Sequence, residues 1–140
     1  MKILIDTNVV LDFAFNREPF ASDAAEIFRH IEQKKISATV SASAITDIFY
    51  ILHKRKVDAF AFLKDFLLDI DVLGVDKMII MYALYSGWTD FEDAVQAQVS
   101  IENHVDIIVT RNITDFEKLA NIKVLTPSEL LLHLTKNTNA

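Results

Sequence analysis

A chain of 140 residues, 51% hydrophobic and with only two glycines and two prolines, can bury a core within one domain and is too apolar to be disordered. It has no cysteine, which excludes a disulfide framework and a thiolate metal site. Its net charge of −6 argues against binding nucleic acid through a broad basic face. A polyanionic substrate would need positive charge supplied locally, most simply by a divalent cation held on carboxylates.

No apolar run approaches the roughly 18 residues of a membrane span, and the amino terminus shows no secretion signal. The expectation is a cytoplasmic protein with no membrane partner. In chain order, Lys2–Ile5 reads as an apolar strand that ends on Asp6, Thr7 and Asn8. Residues 9–15 form a short helix, closed by the turn-like Asn16-Arg17-Glu18-Pro19. Ser22 or Asp23 caps a second helix to about Gln33, with Ala25, Ile27, Phe28 and Ile31 on one face. Residues 36–41 are a second strand. Ser43 caps a third helix that carries Asp47 and ends in His53-Lys54-Arg55-Lys56, cations that suit a helix carboxyl end.

Asp58 opens a fourth, Phe-rich helix; residues 70–75 form a third strand, and Asp76 starts a helix to Tyr85. Thr89-Asp90-Phe91-Glu92 has the form of a capping box for a helix to about Asn103. Residues 106–110 make a fourth strand, a short helix starts near Asp115, and Lys123–Leu125 is a fifth strand. Thr126-Pro127 begins the last helix as cap and first-turn proline. Strands alternating with helices predict an α/β chain, a three-layer α/β/α sandwich on a mainly parallel sheet of about five strands. One domain is expected over residues 1–135, followed by a frayed polar tail over 136–140.

Four acidic positions lie where chemistry can gather. Asp6 ends the first strand, and strand carboxyl ends are where α/β sheets bind ligands. Asp47 lies in the first turns of the helix after strand two. Asp90 and Asp93 are three apart at a helix start, so they share a face. Asp115 follows the loop after strand four. Neighbouring carboxylates repel, and a hard divalent cation reverses that cost. Mg²⁺ or Mn²⁺ on Asp6, Asp93 and Asp115, with Asp47 holding water or a second ion, would activate water against a phosphodiester. Thr7, Asn8, Thr110 and Asn112 would orient ligands or contact phosphate oxygens. The histidines, His30, His53, His104 and His133, share no spacing expected of zinc ligands.

Three motifs then resemble a known family: Asp6-Thr7-Asn8-Val9; Asp90-Phe91-Glu92-Asp93-Ala94; and the stretch Val109-Thr110-Arg111-Asn112-Ile113-Thr114-Asp115-Phe116. In order and spacing, from Lys2 to about Leu132, they resemble the PIN domain, and most of all the bacterial single-domain proteins that include VapC-type ribonuclease toxins. The resemblance implies a Mg²⁺- or Mn²⁺-dependent ribonuclease acting on RNA, often dimeric and paired with a small antitoxin. It places the family's acids on Asp6, on Asp47 where Glu is usual, on Asp93 with Asp90 beside it, and on Asp115. Asn112 stands where many relatives carry Asp. The Asp-for-Glu and Asn-for-Asp departures motivate an alternative, a catalytically weak module that binds RNA or protein. A third reading, a phosphatase with Asp6 as nucleophile, lacks the second aspartate it would want at position 8, where Asn8 stands.

Overall fold

Strand β1 (Lys2–Ile5) is the centre of the sheet, and its burial shows why so short a segment is almost wholly apolar. Ile3 and Ile5 pack into the core on one face, Leu4 into the core on the other. A parallel strand covered on both faces has no polar side to present. The computed structural model describes residues 1–138. Beside β1 lie β2 (Ser37–Ser41) and β4 (Ile107–Val109); β3 (Ile70–Leu73) and β5 (Lys123–Leu125) form the edges. All pairings are parallel, in the order β3-β2-β1-β4-β5.

One face of the sheet is covered by α1 (Thr7–Ala14), α2 (Ala21–Glu32), α3 (Ala42–Lys54), α4 (Ala59–Phe66) and α7 (Pro127–Thr138). The other is covered by α5 (Lys77–Leu84), α6 (Phe91–Glu102) and a 3-10 turn at Ile113–Phe116. The predicted three-layer sandwich is therefore present, with the sheet entirely parallel. The order reverses between β1 and β4, one leading outward through β2 and the other through β5. That switch point opens a crevice at the strand carboxyl ends.

Several element starts differ from the sequence reading. Helix α1 begins at Thr7, because Asp6 itself is the cap and accepts from the Thr7 N–H. Neither Ser22 nor Asp23 caps α2, which starts at Ala21 behind Phe20 without a side-chain cap, and Ala24 rather than Ala25 enters the core. Ser41, not Ser43, caps α3. The cap of α6 is Asp90, whose Oδ1 accepts from Asp93 N–H at 2.9 Å, so Thr89-x-x-Glu92 is not a capping box. The 3-10 turn starts at Ile113 rather than at Asp115. Asp58, Asp76 and Thr126-Pro127 begin helices as expected. The tail from Lys136 is helical to Thr138, and residues 139–140 of that expectation lie outside the described residues.

A chain with two glycines must end its helices by other means. Asn16, Lys34, Lys56 and His104 take φ between 52° and 62°, each one residue past a helix cap. In each case the next N–H bonds back five residues, as Arg17 does to Asp12 O at 2.9 Å and Lys35 to His30 O at 3.0 Å. These are Schellman ends built on residues that carry a left-handed penalty of about 1 kcal/mol. Lys34→Gly is expected to raise stability by about 0.5–1 kcal/mol in urea unfolding. Leu130, fully buried on α7, and Leu132, 63% exposed, test which face of that helix is structural. Leu130→Ala should cost about 2–5 kcal/mol, and Leu132→Ala no more than about 0.5 kcal/mol.

Candidate functional site

The carboxyl ends of β1 and β4 place Asp6 and Thr110 side by side. Ile5 is paired with Val109, and the Asp6 N–H extends the ladder to Val109 O at 2.9 Å. Asp6 is 6% exposed, and its carboxylate accepts four hydrogen bonds. Oδ1 accepts from Thr7 N–H at 2.8 Å and from Gln96 Nε2 at 2.9 Å. Oδ2 accepts from Thr110 Oγ1 at 2.7 Å and from Asn8 Nδ2 at 3.2 Å. A carboxylate offers about four lone-pair sites, so all are occupied. The Asn8 bond is the longest of the four, and the same amide lies 3.4 Å from Thr110 Oγ1.

The flanking residues hold one another in turn. Thr110 Oγ1 accepts from Asn112 N–H at 3.0 Å while donating to Asp6. Asn8 Oδ1 accepts from Arg111 N–H at 3.3 Å, tying the loop after β4 to the first turn of α1. Asp90 fixes the start of α6 and with it the backbone of Asp93. Thr7, Asn8, Thr110, Asn112 and Asp90 thus gather around Asp6 and Asp93.

Four acids complete the rim. Burial raises Asp93 up to about 7, reinforced by the charges of Asp90, Asp6, Asp115 and Glu92. Partial desolvation likewise raises Glu92 up to about 7, followed by the charges of Asp47, Asp6 and Asp90 and a hydrogen bond with Asp47, although much of its side chain stays in solvent. Asp93 is half-buried; Glu92 and Asp47 are solvent-exposed, and water softens their interaction. Asp47 stands beside Glu92, where its charge is the first after burial to act on that carboxyl. Asp115 reaches it as a charge near Asp93 and as a wall of an adjoining cavity of about 150 Å³, shared with Trp88, Thr89 and Lys118. A larger hollow of about 480 Å³ lies at the amino ends of the strands, between Met1, Lys35 and Asp69, away from these acids.

Two members of the site do not stand out in the sequence. Glu92 is hidden by the apparent capping box. Gln96 is fully buried on α6 among Val95, Ala97 and Val99, and an uncharged side chain in an apolar run attracts no notice. The usable signal is spacing: Gln96 lies three residues after Asp93, on the same helical face.

The donor set is entirely hard oxygen, which suits Mg²⁺ or Mn²⁺ rather than softer ions. Two buried polar atoms here, Gln96 Oε1 and Thr7 Oγ1, have no protein partner and are able to accept from water around a cation. Among the described residues no three acids or histidines stand close enough to make a ready cage. The residues fit such an ion in chemistry, while Asp6 must release one donor, Asn8 being the weakest held, to ligate directly.

The raised carboxyls carry a stability consequence. Between about pH 4 and 7 the folded protein keeps protons on Glu92 and Asp93 that the unfolded chain releases. Stability from these groups therefore falls as pH rises through that window. In EDTA, the drop in thermal midpoint between pH 5.5 and pH 8 should be larger for the wild type than for Glu92→Gln/Asp93→Asn. Equal drops would remove the proposed crowding.

A family model described as PIN domain matches residues 2–114. No curated protein matches the chain. Solved structures share its fold at low identity. VapBC2 from Rickettsia felis, bound to a DNA fragment from its promoter, is 18% identical with a TM-score of 0.69, covering 90% of this chain and 98% of that one. A toxin–antitoxin complex from Klebsiella pneumoniae is 18% identical with a TM-score of 0.67, covering 89% and 97%. VapC20 from Mycobacterium tuberculosis, described as a sarcin-ricin loop cleaving toxin, is 14% identical with a TM-score of 0.66, covering 86% and 98%. The matched residues 2–114 contain Asp6, Asp47, Asp90, Glu92 and Asp93, and Asp115 follows immediately. The chain belongs to the PIN domain family.

Proposed function

We propose that this protein is a metal-dependent endoribonuclease of the VapC toxin kind. The observation that carries the reading is the convergence of Asp6, Asp47, Glu92, Asp93 and Asp115 at the switch point of the sheet, with Glu92 and Asp93 lifted up to about 7 by burial and by the carboxylates around them. Asp6, Asp93 and Asp115 would hold Mg²⁺ or Mn²⁺, and Asp47 with Glu92 would bind water at its edge. The ion, when bound, supplies a Lewis acid that makes water nucleophilic near neutral pH and offsets charge on the scissile phosphate. Asp6 is fixed for this by its four donors. Thr110, Asn8 and Asn112 orient it, and Asp90 orients Asp93. Hydrolysis of the phosphodiester in line leaves a 3′-hydroxyl and a 5′-phosphate.

RNA as substrate is supported by the fold neighbour VapC20, a sarcin-ricin loop cleaving toxin. A small antitoxin partner is supported by fold neighbours that are toxin–antitoxin complexes. The outer face of α5, with Met78, Tyr82 and Leu84 more than half exposed, supports a homodimer. Among the described residues no helix is long and apolar enough to cross a membrane. A second reading, a binding module with lost activity, is favoured by the full occupancy of Asp6. It requires RNA or partner binding that survives Asp6→Asn, with no metal-dependent cleavage.

The deciding measurement is cleavage of a mixed structured RNA with Mg²⁺, Mn²⁺ or EDTA. Wild type should cut only with metal, Asp6→Asn should lose at least about 100-fold, and Gln96→Leu about 10–100-fold, the usual cost of removing a group that orients a ligand. Metal-independent cutting, or equal cutting by Asp6→Asn, would overturn the assignment. Products ending in 2′,3′-cyclic phosphate would overturn the mechanism.

A further inference from the structure

On a protein of net charge −6, three guanidinium groups converge beside the acidic crevice. Two of them are anchored on Asp12 of α1, 1% exposed. Arg111 Nε lies 2.7 Å from Asp12 Oδ2, and its Nη2 donates to Oδ1 at 3.3 Å. Arg17 Nη1 lies 3.6 Å from the same Oδ1. Each of these arginines also rests on a ring. Arg111 stands 4.2 Å from the centroid of Phe20, and Arg17 5.0 Å from that of Phe15. Arg55, the residue that caps the carboxyl end of α3, stands 5.4 Å from the same Phe15 ring.

The charges do not balance. One buried carboxylate faces two guanidiniums, Arg17 and Arg111, and among the described residues the third, Arg55, has no carboxylate within ion-pair distance. The nearest acids in sequence are committed elsewhere: Glu18 accepts from Ser22, and Asp58 caps α4. Lys54 and Lys56, both exposed, add to the excess. A helix end explains cations near the last turn of α3. It does not explain why two guanidiniums share one ring with a third alongside. Planar guanidiniums held flat on aromatic faces lose little freedom on binding, and their fork of donors matches phosphate oxygens.

The cluster is joined to the acids through short links. Arg111 donates its backbone N–H to Asn8, whose amide bonds Asp6, and Asp6 and Asp12 are about 9 Å apart along α1 at 1.5 Å per residue. We propose that Arg17, Arg55 and Arg111 form a phosphate site that seats the RNA backbone next to the bond to be cut, the strand crossing the acids and then running along α1 toward the end of α3. Arg111 serves mainly as anchor through Asp12, and Arg17 and Arg55 carry the surplus charge. This site rests on the ribonuclease reading, and its test is made separable from it.

The test is binding of a short labelled single-stranded RNA to the full chain in EDTA, where no cleavage is needed, across a series of salt concentrations. Arg17→Gln/Arg55→Gln should bind more weakly, with the slope of log affinity against log salt shallower by about 1.4, the loss of two single-strand phosphate contacts. Arg29→Gln, which removes an arginine paired with Glu26 at 2.6 Å on α2, should leave both quantities unchanged. If the double variant does not fold, Arg55→Gln alone, which breaks no ion pair, should flatten the slope by about 0.7. In cleavage, the double variant should raise KM with kcat nearly kept. Wild-type affinity and slope in these variants would overturn the site. So would a poly-glutamate peptide that competes as well as RNA at equal charge, which would point to an acidic protein partner instead. Failure of the cleavage assay with the expected change of slope would overturn the nuclease while leaving the phosphate site standing.

Discussion

The fold and its chemistry both depend on one carboxylate being held out of water at the end of the central strand. An aspartate buried to this degree without partners would carry a heavy desolvation cost or unravel the first turn of α1. Asp6 avoids both because four donors from three separate parts of the chain reach it: Thr7 and Asn8 from α1, Thr110 from the end of β4, and Gln96 from the middle of α6. Each donor requires its own element to be in register. The ladder between Ile5 and Val109 sets Thr110 beside Asp6, and the packing of Val95, Val99 and Ala97 against Leu4 and Ile108 sets Gln96. The core thus exists in part to aim polar groups at one point.

Much of this was legible in the sequence for a simple reason. An acid directly after an apolar strand violates the burial pattern, so Asp6 announces itself, and alternating strands and helices leave few arrangements besides a parallel sheet with two covered faces. Asp58, Asp76 and Thr126-Pro127 mark helix starts because their side chains bond to nearby N–H groups, a local matter. Asp90 and Glu92 show where local rules compete. Both Thr89 and Asp90 are good caps, and the choice between them moves the helix by one residue. Once Asp90 takes the cap, Glu92 is released to face Asp47. Gln96 was illegible because its value lies in a partner 90 positions away.

The two kinds of charge on this surface are arranged by different physics. The acids at the crevice are crowded and lifted toward neutrality, an arrangement that is unfavourable until positive charge arrives. The arginines along α1 are the reverse: their excess is made tolerable by Asp12 beneath them and by the faces of Phe15 and Phe20. A uniform charge count of −6 conceals both. The balance that matters for a polyanion is local, set over distances comparable to the screening length of about 8–10 Å in physiological salt.

The separation in sequence between Asp6 and its partners has a consequence for synthesis. Asp6 is made well before the hydroxyl that holds it, which comes 104 residues later. Parallel pairing of β1 with β4 closes a long loop, and such contacts form late because the chain must give up loop entropy before they reward it. A nascent or truncated chain that stops short of Thr110 has the acids of the first strand and α3 but not the geometry that joins them to α6. The polar knot around Asp6 thus comes into being only when the domain is nearly complete.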